Sequence, residues 1–192
     1  MQQKIALLLI DVQLGFYDSS WGNRNNPQAE ENIKKLLLAF RDMKKPVFHV
    51  QHLSLNLNSP LAAYQTGVEF MDFAKPVLGE RIFQKNVNSA FIGTQLEEKL
   101  HESGIDIIVI AGISTDHCVS TSTRMASNLG FDTYVIADAT IAFGRKGYNG
   151  TNYSADIVHE ISLASLHNEF STVINTNDFL KLLSSALDVT NS

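Results

Sequence analysis

Three side chains able to do chemistry stand at or just after the ends of expected strands. Cys118, the only cysteine of the chain, follows Ile107-Ile108-Val109-Ile110-Ala111-Gly112-Ile113 and the polar turn Ser114-Thr115-Asp116-His117, where a helix is expected to begin. A thiol near a helix N-terminus faces unpaired backbone N–H groups and the positive end of the helix dipole, which favours the thiolate nucleophile. The same position suits a small buried apolar side chain, the usual fate of a free cysteine, and position alone weighs the two equally. Asp11 closes the run Ile5-Ala6-Leu7-Leu8-Leu9-Ile10, as a site residue or as a turn-former. Lys85 closes Arg81-Ile82-Phe83-Gln84, although most lysines are surface cations.

The segments that must position them alternate in period. Continuous apolar runs such as Ile5–Ile10 and Ile107–Ile113 suit strands buried on both faces. Further strands are expected over residues 46–51, 81–84, 131–137 and 171–174. Helices are expected between them: one after Pro27, carrying Ile33, Leu36, Leu37 and Phe40 to Lys44-Lys45-Pro46; one opened by a Thr94-to-Glu97 capping box; one from Cys118 to Gly130; one over 155–170 with Ile157, Ile161, Ala164 and Leu166 on its apolar side; and one over 178–187. Strands alternating with helices imply a parallel sheet covered on both faces, in a single domain with its core over about 5–183. The tail after Asp188 is expected to fray. Two irregular stretches stand out: residues 53–80, long enough for a lid or subunit contact, and the glycine-rich 139–152, expected to be mobile.

In a parallel sheet all strand ends lie on one edge, so Asp11, Lys85 and Cys118 are expected to converge. The carboxylate can take the thiol proton, the ammonium can hold both anions, and the thiolate can attack an electrophilic carbon. Backbone N–H groups of the turn preceding Cys118, with that of Cys118 itself, can receive the developing oxyanion. Around this centre the candidate pocket residues are Phe16 and Trp21 from the loop after the first strand, His52 at the end of the second, and Ser89, Thr115 and His117. Phe16 and Trp21 serve equally well as large side chains pinning that loop to the core. His49 and His52 are three apart on a strand, face opposite ways, and make poor joint metal ligands.

The totals narrow the class. The chain has 192 residues, with 15 basic against 20 acidic and a formal charge of −5, which offers no attraction to nucleic acid or an anionic membrane. No apolar run spans a bilayer and no signal-peptide pattern precedes Ile5, so a cytoplasmic protein is expected.

Three ordered motifs, Leu-Leu-Leu-Ile-Asp11-Val-Gln13 with Phe16, Lys85 with Asn88-Ser89-Ala90-Phe91, and Gly112-Ile-Ser-Thr-Asp-His-Cys118-Val119, make the chain resemble the isochorismatase-like cysteine hydrolase superfamily. The resemblance runs from Ile5 to about Leu183. It implies an α/β/α three-layer sandwich with a six-stranded, mostly parallel Rossmann-like sheet. It also implies a catalytic triad of Asp11, Lys85 and Cys118, a cis peptide between Ile113 and Ser114 that aims the Ser114 N–H into the oxyanion hole beside that of Cys118, and a homo-oligomer. Nicotinamidases of that family bind a metal through an Asp-x-His segment; Gln51-His52-Leu53-Ser54 lacks the aspartate, so no metal and no cofactor is expected. True isochorismatases lack a cysteine at the position of Cys118.

The expected function is hydrolysis of a C–N bond in a small amide or carbamoyl-type molecule through a thioester on Cys118. The alternatives are an isochorismatase-like vinyl-ether hydrolase with Asp11 as the acid, and a catalytically idle binding or scaffold protein of the same fold. The Cys118 thiolate is expected to form at lower pH than that of a free cysteine, provided Lys85 and the helix outweigh the opposing charge of Asp11.

Overall fold

The computed structural model describes residues 3–188, so the expected fraying after Asp188 lies outside the described residues. Its centre is a six-stranded sheet, all parallel, built from β1 (Ile5–Ile10), β2 (Val47–His52), β3 (Arg81–Lys85), β4 (Ile107–Ile113), β5 (Asp132–Ile141) and β8 (Thr172–Ile174), in the order β3-β2-β1-β4-β5-β8. Helices α1 (Ala29–Asp42), α2 (Leu96–Glu102), α3 (Ser120–Asn128), α4 (Ala155–Ala164) and α5 (Thr176–Asp188) join or follow the strands. No helix among the described residues is long and apolar enough to cross a membrane.

The unbroken apolar runs are explained by two cores. Leu7, Leu9, Val109 and Ala111 point to the face covered by α1 and α5, packing with Leu36, Phe40 and Phe179. Ala6, Leu8, Ile10, Ile108 and Ile110 point to the other face, where Leu96, Leu100, Ala126 and Leu163 from α2, α3 and α4 cover them. Because β1 and β4 are buried on both sides, neither has a polar alternate.

Three local expectations are corrected. On α4 the buried residues are Ala155, His159 and Leu163, whereas Ile157 and Ile161 are 51% and 67% exposed. The isoleucine stripe read as the core face is the outer face, because the helix turns its histidine inward to a polar partner. At the start of α2, Thr94 Oγ1 accepts from Leu96 N–H at 3.3 Å and donates to the Ala90 carbonyl at 2.6 Å, so a threonine turn replaces the reciprocal box. β5 runs past Asp138 to Ile141, pairing with β4 on either side of a register shift.

The irregular stretches are tied down. Residues 53–80 bury Leu61, Ala62, Phe70, Met71 and Ala74. Within 139–152 the chain forms part of a short hairpin, β6 (Arg145–Lys146) with β7 (Asn152–Tyr153), which Arg145 fastens to Asp116 at 2.7 Å.

Candidate active site

The strand order reverses at β1: the chain builds outward through β2 and β3, then returns to the other side of β1 for β4. In open α/β sheets the crevice beyond the carboxyl ends at such a switch point is the ligand site. Asp11 follows β1, the turn carrying Cys118 follows β4, and Lys85 ends β3. Gly112 makes the junction of β1 and β4 possible. Its φ is +132°, and a Cβ there would stand 2.0 Å from the Ile10 carbonyl oxygen. Any side chain at 112 would push on the residue before Asp11.

Lys85 Nζ donates to Asp11 Oδ2 at 2.6 Å, to His52 Nδ1 at 3.1 Å and to Cys118 Sγ at 3.3 Å. The side chains of Asp11 and Lys85 are fully buried. Cys118 is 7% exposed, and Asn88 Oδ1 lies 3.8 Å from its sulfur. Ligand-type atoms of Asp11, His52 and Cys118 all lie within 4.8 Å of one another, a spacing that could hold a metal ion. The lysine ammonium, within 3.3 Å of all three, already occupies that role as the local cation.

Burial sets the proton inventory. It pushes the Cys118 thiol up to about 12, the Asp11 charge pushes the same way, and Lys85 offsets only part. The expectation of an early thiolate is therefore corrected: a helix terminus does not compensate for a dry site that already holds a carboxylate. Desolvation also raises the Asp11 carboxyl, against the opposing pull of Lys85. A carboxylate with a raised pKa beside a protonated thiol is a better base than an ordinary aspartate. His52 is pushed down to about 4, first by burial and then by the Lys85 charge.

The peptide between Ile113 and Ser114 is cis. Ser114 is buried, and its carbonyl accepts from His117 N–H and Val119 N–H, closing one π-helical turn over Thr115–Val119 that runs into α3. The Thr115 hydroxyl is fully buried, 2.9 Å from His159 Nδ1, and His159 Nε2 lies 3.4 Å from the Asn26 amide. Asn26 in turn donates to the carbonyls of Ala137 and Thr140.

The pocket candidates divide. His52 is brought to the centre. Ser89 is buried and its hydroxyl accepts from Phe91 N–H, turning the loop that carries Asn88. Thr115 contacts His159 from inside the turn. The His117 side chain is 53% exposed, between Asp116 at 3.5 Å and Arg145 at 3.3 Å. Phe16 stacks on Phe143, Trp21 packs tilted against both rings, and Trp21 Nε1 donates to the Gly15 carbonyl. That is the packing of a loop pinned to the core. A cavity of about 380 Å³ lies beside the end of β3, lined in part by Leu53, Leu55, Ala63, Asn86 and Ile92.

Sequence reading missed Asn88, Asn26 and His159 as parts of this centre. Asn88 sits three residues past Lys85, at the start of the motif Asn88-Ser89-Ala90-Phe91. His159 has no local signal, since one histidine on a helix face looks like any other until the fold places Thr115 against it.

Comparison with known proteins agrees with the fold. The isochorismatase domain model matches residues 5–178. The isochorismatase family protein YrdC of Bacillus subtilis is 49% identical over 185 residues, covering 94% of this chain and 99% of that one. A crystal structure of an isochorismatase-family protein from Chromobacterium violaceum superposes with a TM-score of 0.92 at 41% identity, covering 96% of this chain and 95% of that one. A maleamate amidohydrolase of Pseudomonas putida is 30% identical over 65% of this chain and 51% of its own length. The chain belongs to the isochorismatase family and is a hydrolase.

Proposed function

We propose that this hydrolase cleaves a C–N bond in a small amide or carbamoyl-type molecule through a thioester on Cys118. The observation that carries the reading is the single buried ammonium of Lys85 in contact with both the Asp11 carboxylate at 2.6 Å and the Cys118 sulfur at 3.3 Å. The thiol keeps its proton at rest because burial and the Asp11 charge oppose a thiolate. As sulfur attacks the substrate carbonyl carbon, Asp11 accepts the S–H proton and the carbonyl oxygen becomes an oxyanion facing the N–H groups of Ser114 and Cys118. Collapse of this intermediate breaks the C–N bond, and the Asp11 carboxylic acid protonates the departing amine. Water then attacks the thioester, Asp11 takes its proton, and the acid product leaves as sulfur recovers a proton.

The relatives that carry amidohydrolase names support the C–N reading over vinyl-ether cleavage. The three converging side chains argue against an idle scaffold, which has no use for a buried lysine between an acid and a thiol. The deciding experiment is intact-protein mass spectrometry after incubation with a library of small amides and carbamoyl compounds. An acyl mass on the native chain, absent from Cys118→Ala, supports the reading and identifies the acyl group. Turnover by Cys118→Ala at the native rate removes it.

A further inference from the structure

Lys85 stands on β3 and Asp11 follows β1, with β2 between them, so the lysine side chain must cross the end of β2 to reach its partner. The residue at the crossing is His52, the register partner of Lys85 in the β2/β3 ladder. Side chains of register partners in adjacent strands share a face, and the His52 ring lies alongside the lysine.

An ammonium has three N–H donors and no acceptor. Those of Lys85 find three acceptors: Asp11 Oδ2 at 2.6 Å, His52 Nδ1 at 3.1 Å and Cys118 Sγ at 3.3 Å. His52 must therefore present a bare Nδ1 and carry its proton on Nε2, near the Val87 carbonyl. Its backbone is held on both sides by one fully buried side chain. Gln13 Oε1 accepts from His52 N–H at 2.8 Å, and Gln13 Nε2 donates to the His52 carbonyl at 3.0 Å and to the Val68 carbonyl at 2.9 Å. A histidine clamped this way is a fixed lone pair.

We infer that His52 is a positioning residue for the nucleophile: its neutral Nδ1 holds the third N–H of Lys85 and thereby aims the other two at Asp11 and Cys118. The inference rests on the triad reading above. With two acceptors the ammonium can pivot about its short bond to Asp11, and the 3.3 Å contact to sulfur lengthens. With three it has one position. Among the described residues the titratable groups in hydrogen-bond contact with the ammonium are Asp11 after β1, His52 on β2 and Cys118 after β4.

The test uses iodoacetamide alkylation of Cys118, which needs no knowledge of the substrate and is unambiguous because the chain has one cysteine. Rates are measured between about pH 7 and 10 for the native chain, His52→Asn, His52→Gln and His52→Phe, with folding checked by urea titration. The asparagine amide oxygen takes the place of Nδ1, whereas that of glutamine reaches the place of Nε2. His52→Asn should stay within about threefold of native, and His52→Gln and His52→Phe should be about tenfold slower at each pH, a displacement of about one pH unit. Asparagine and glutamine variants with equal rates overturn the inference, as does a His52→Phe profile that superposes on the native one. If His52→Phe does not fold, the asparagine–glutamine contrast decides alone. Loss of the thioester reading would appear instead as hydrolysis by Cys118→Ala, with the alkylation contrast unaffected.

Discussion

Removing Lys85 should convert the centre of the protein into a pH-dependent defect. The Asp11 and Lys85 side chains are fully buried, and Asp11 Oδ1 has no hydrogen-bond partner among the described residues, so the lysine is the main compensation for the carboxylate. In Lys85→Met the stranded charge would cost about 3–5 kcal/mol if it stayed ionised. Asp11 can avoid that by protonating, at a cost of about 1.4 kcal/mol for each pH unit above its unfolded value of about 3.9. At about pH 7 this route costs about 4 kcal/mol, and at about pH 5 only about 1.5 kcal/mol. The sign follows from a carboxyl whose folded pKa is raised: stability is fully present below the unfolded pKa and is lost as pH rises toward the folded one. Burial already raises Asp11 in the native chain, so the same slope exists there over a narrower pH window. Urea unfolding at the two pH values measures it. The control is Asp11→Asn/Lys85→Met, which also lacks the lysine, so histidine titration cancels in the comparison. The double variant should regain most of the loss at neutral pH and be flatter than Lys85→Met. Equal pH slopes for the single and double variants, or no recovery in the double, would refute the reasoning.

Cys118→Ala should retain the fold, within about 1 kcal/mol by urea titration, and lose hydrolysis; turnover near the native rate would exclude sulfur as nucleophile. Gly112→Ala should lower stability by about 3 kcal/mol or fail to fold, because a Cβ 2.0 Å from the Ile10 oxygen at a φ of +132° forces β1 and β4 apart; a native melting temperature would contradict this. Burial works to raise the Glu80 carboxyl, but Arg41, the Val77 N–H and His49 outweigh it and hold it at about 2. Stability conferred by that depression is present above the unfolded carboxyl pKa and is lost as pH falls toward about 2, so Glu80→Gln should show a flatter acid limb in thermal melts.

Much of the fold is local information. The runs Ile5–Ile10 and Ile107–Ile113 have no polar alternate, which only a strand buried on both faces tolerates, and Ile33, Leu36, Leu37 and Phe40 keep a helical period toward one face of the sheet. Strand ends in a parallel sheet share an edge, so the convergence of Asp11, Lys85 and Cys118 followed from three residues each closing or following an expected strand. What tertiary structure alone decided concerns pairs of distant residues. An exposed isoleucine stripe and a buried histidine on α4 invert the helix's apolar pattern: the inward face carries Ala155 and Leu163 with His159, which meets Thr115 at 2.9 Å. The proton state of Cys118 also lay beyond the sequence. A helix start can be read locally and favours a thiolate, but desolvation and the Asp11 charge act through space and reverse the outcome. His52 was visible as a histidine at a strand end, yet its partner was not. That partnership depends on the β2/β3 register and on a lysine crossing β2, neither of which any run of neighbouring residues encodes.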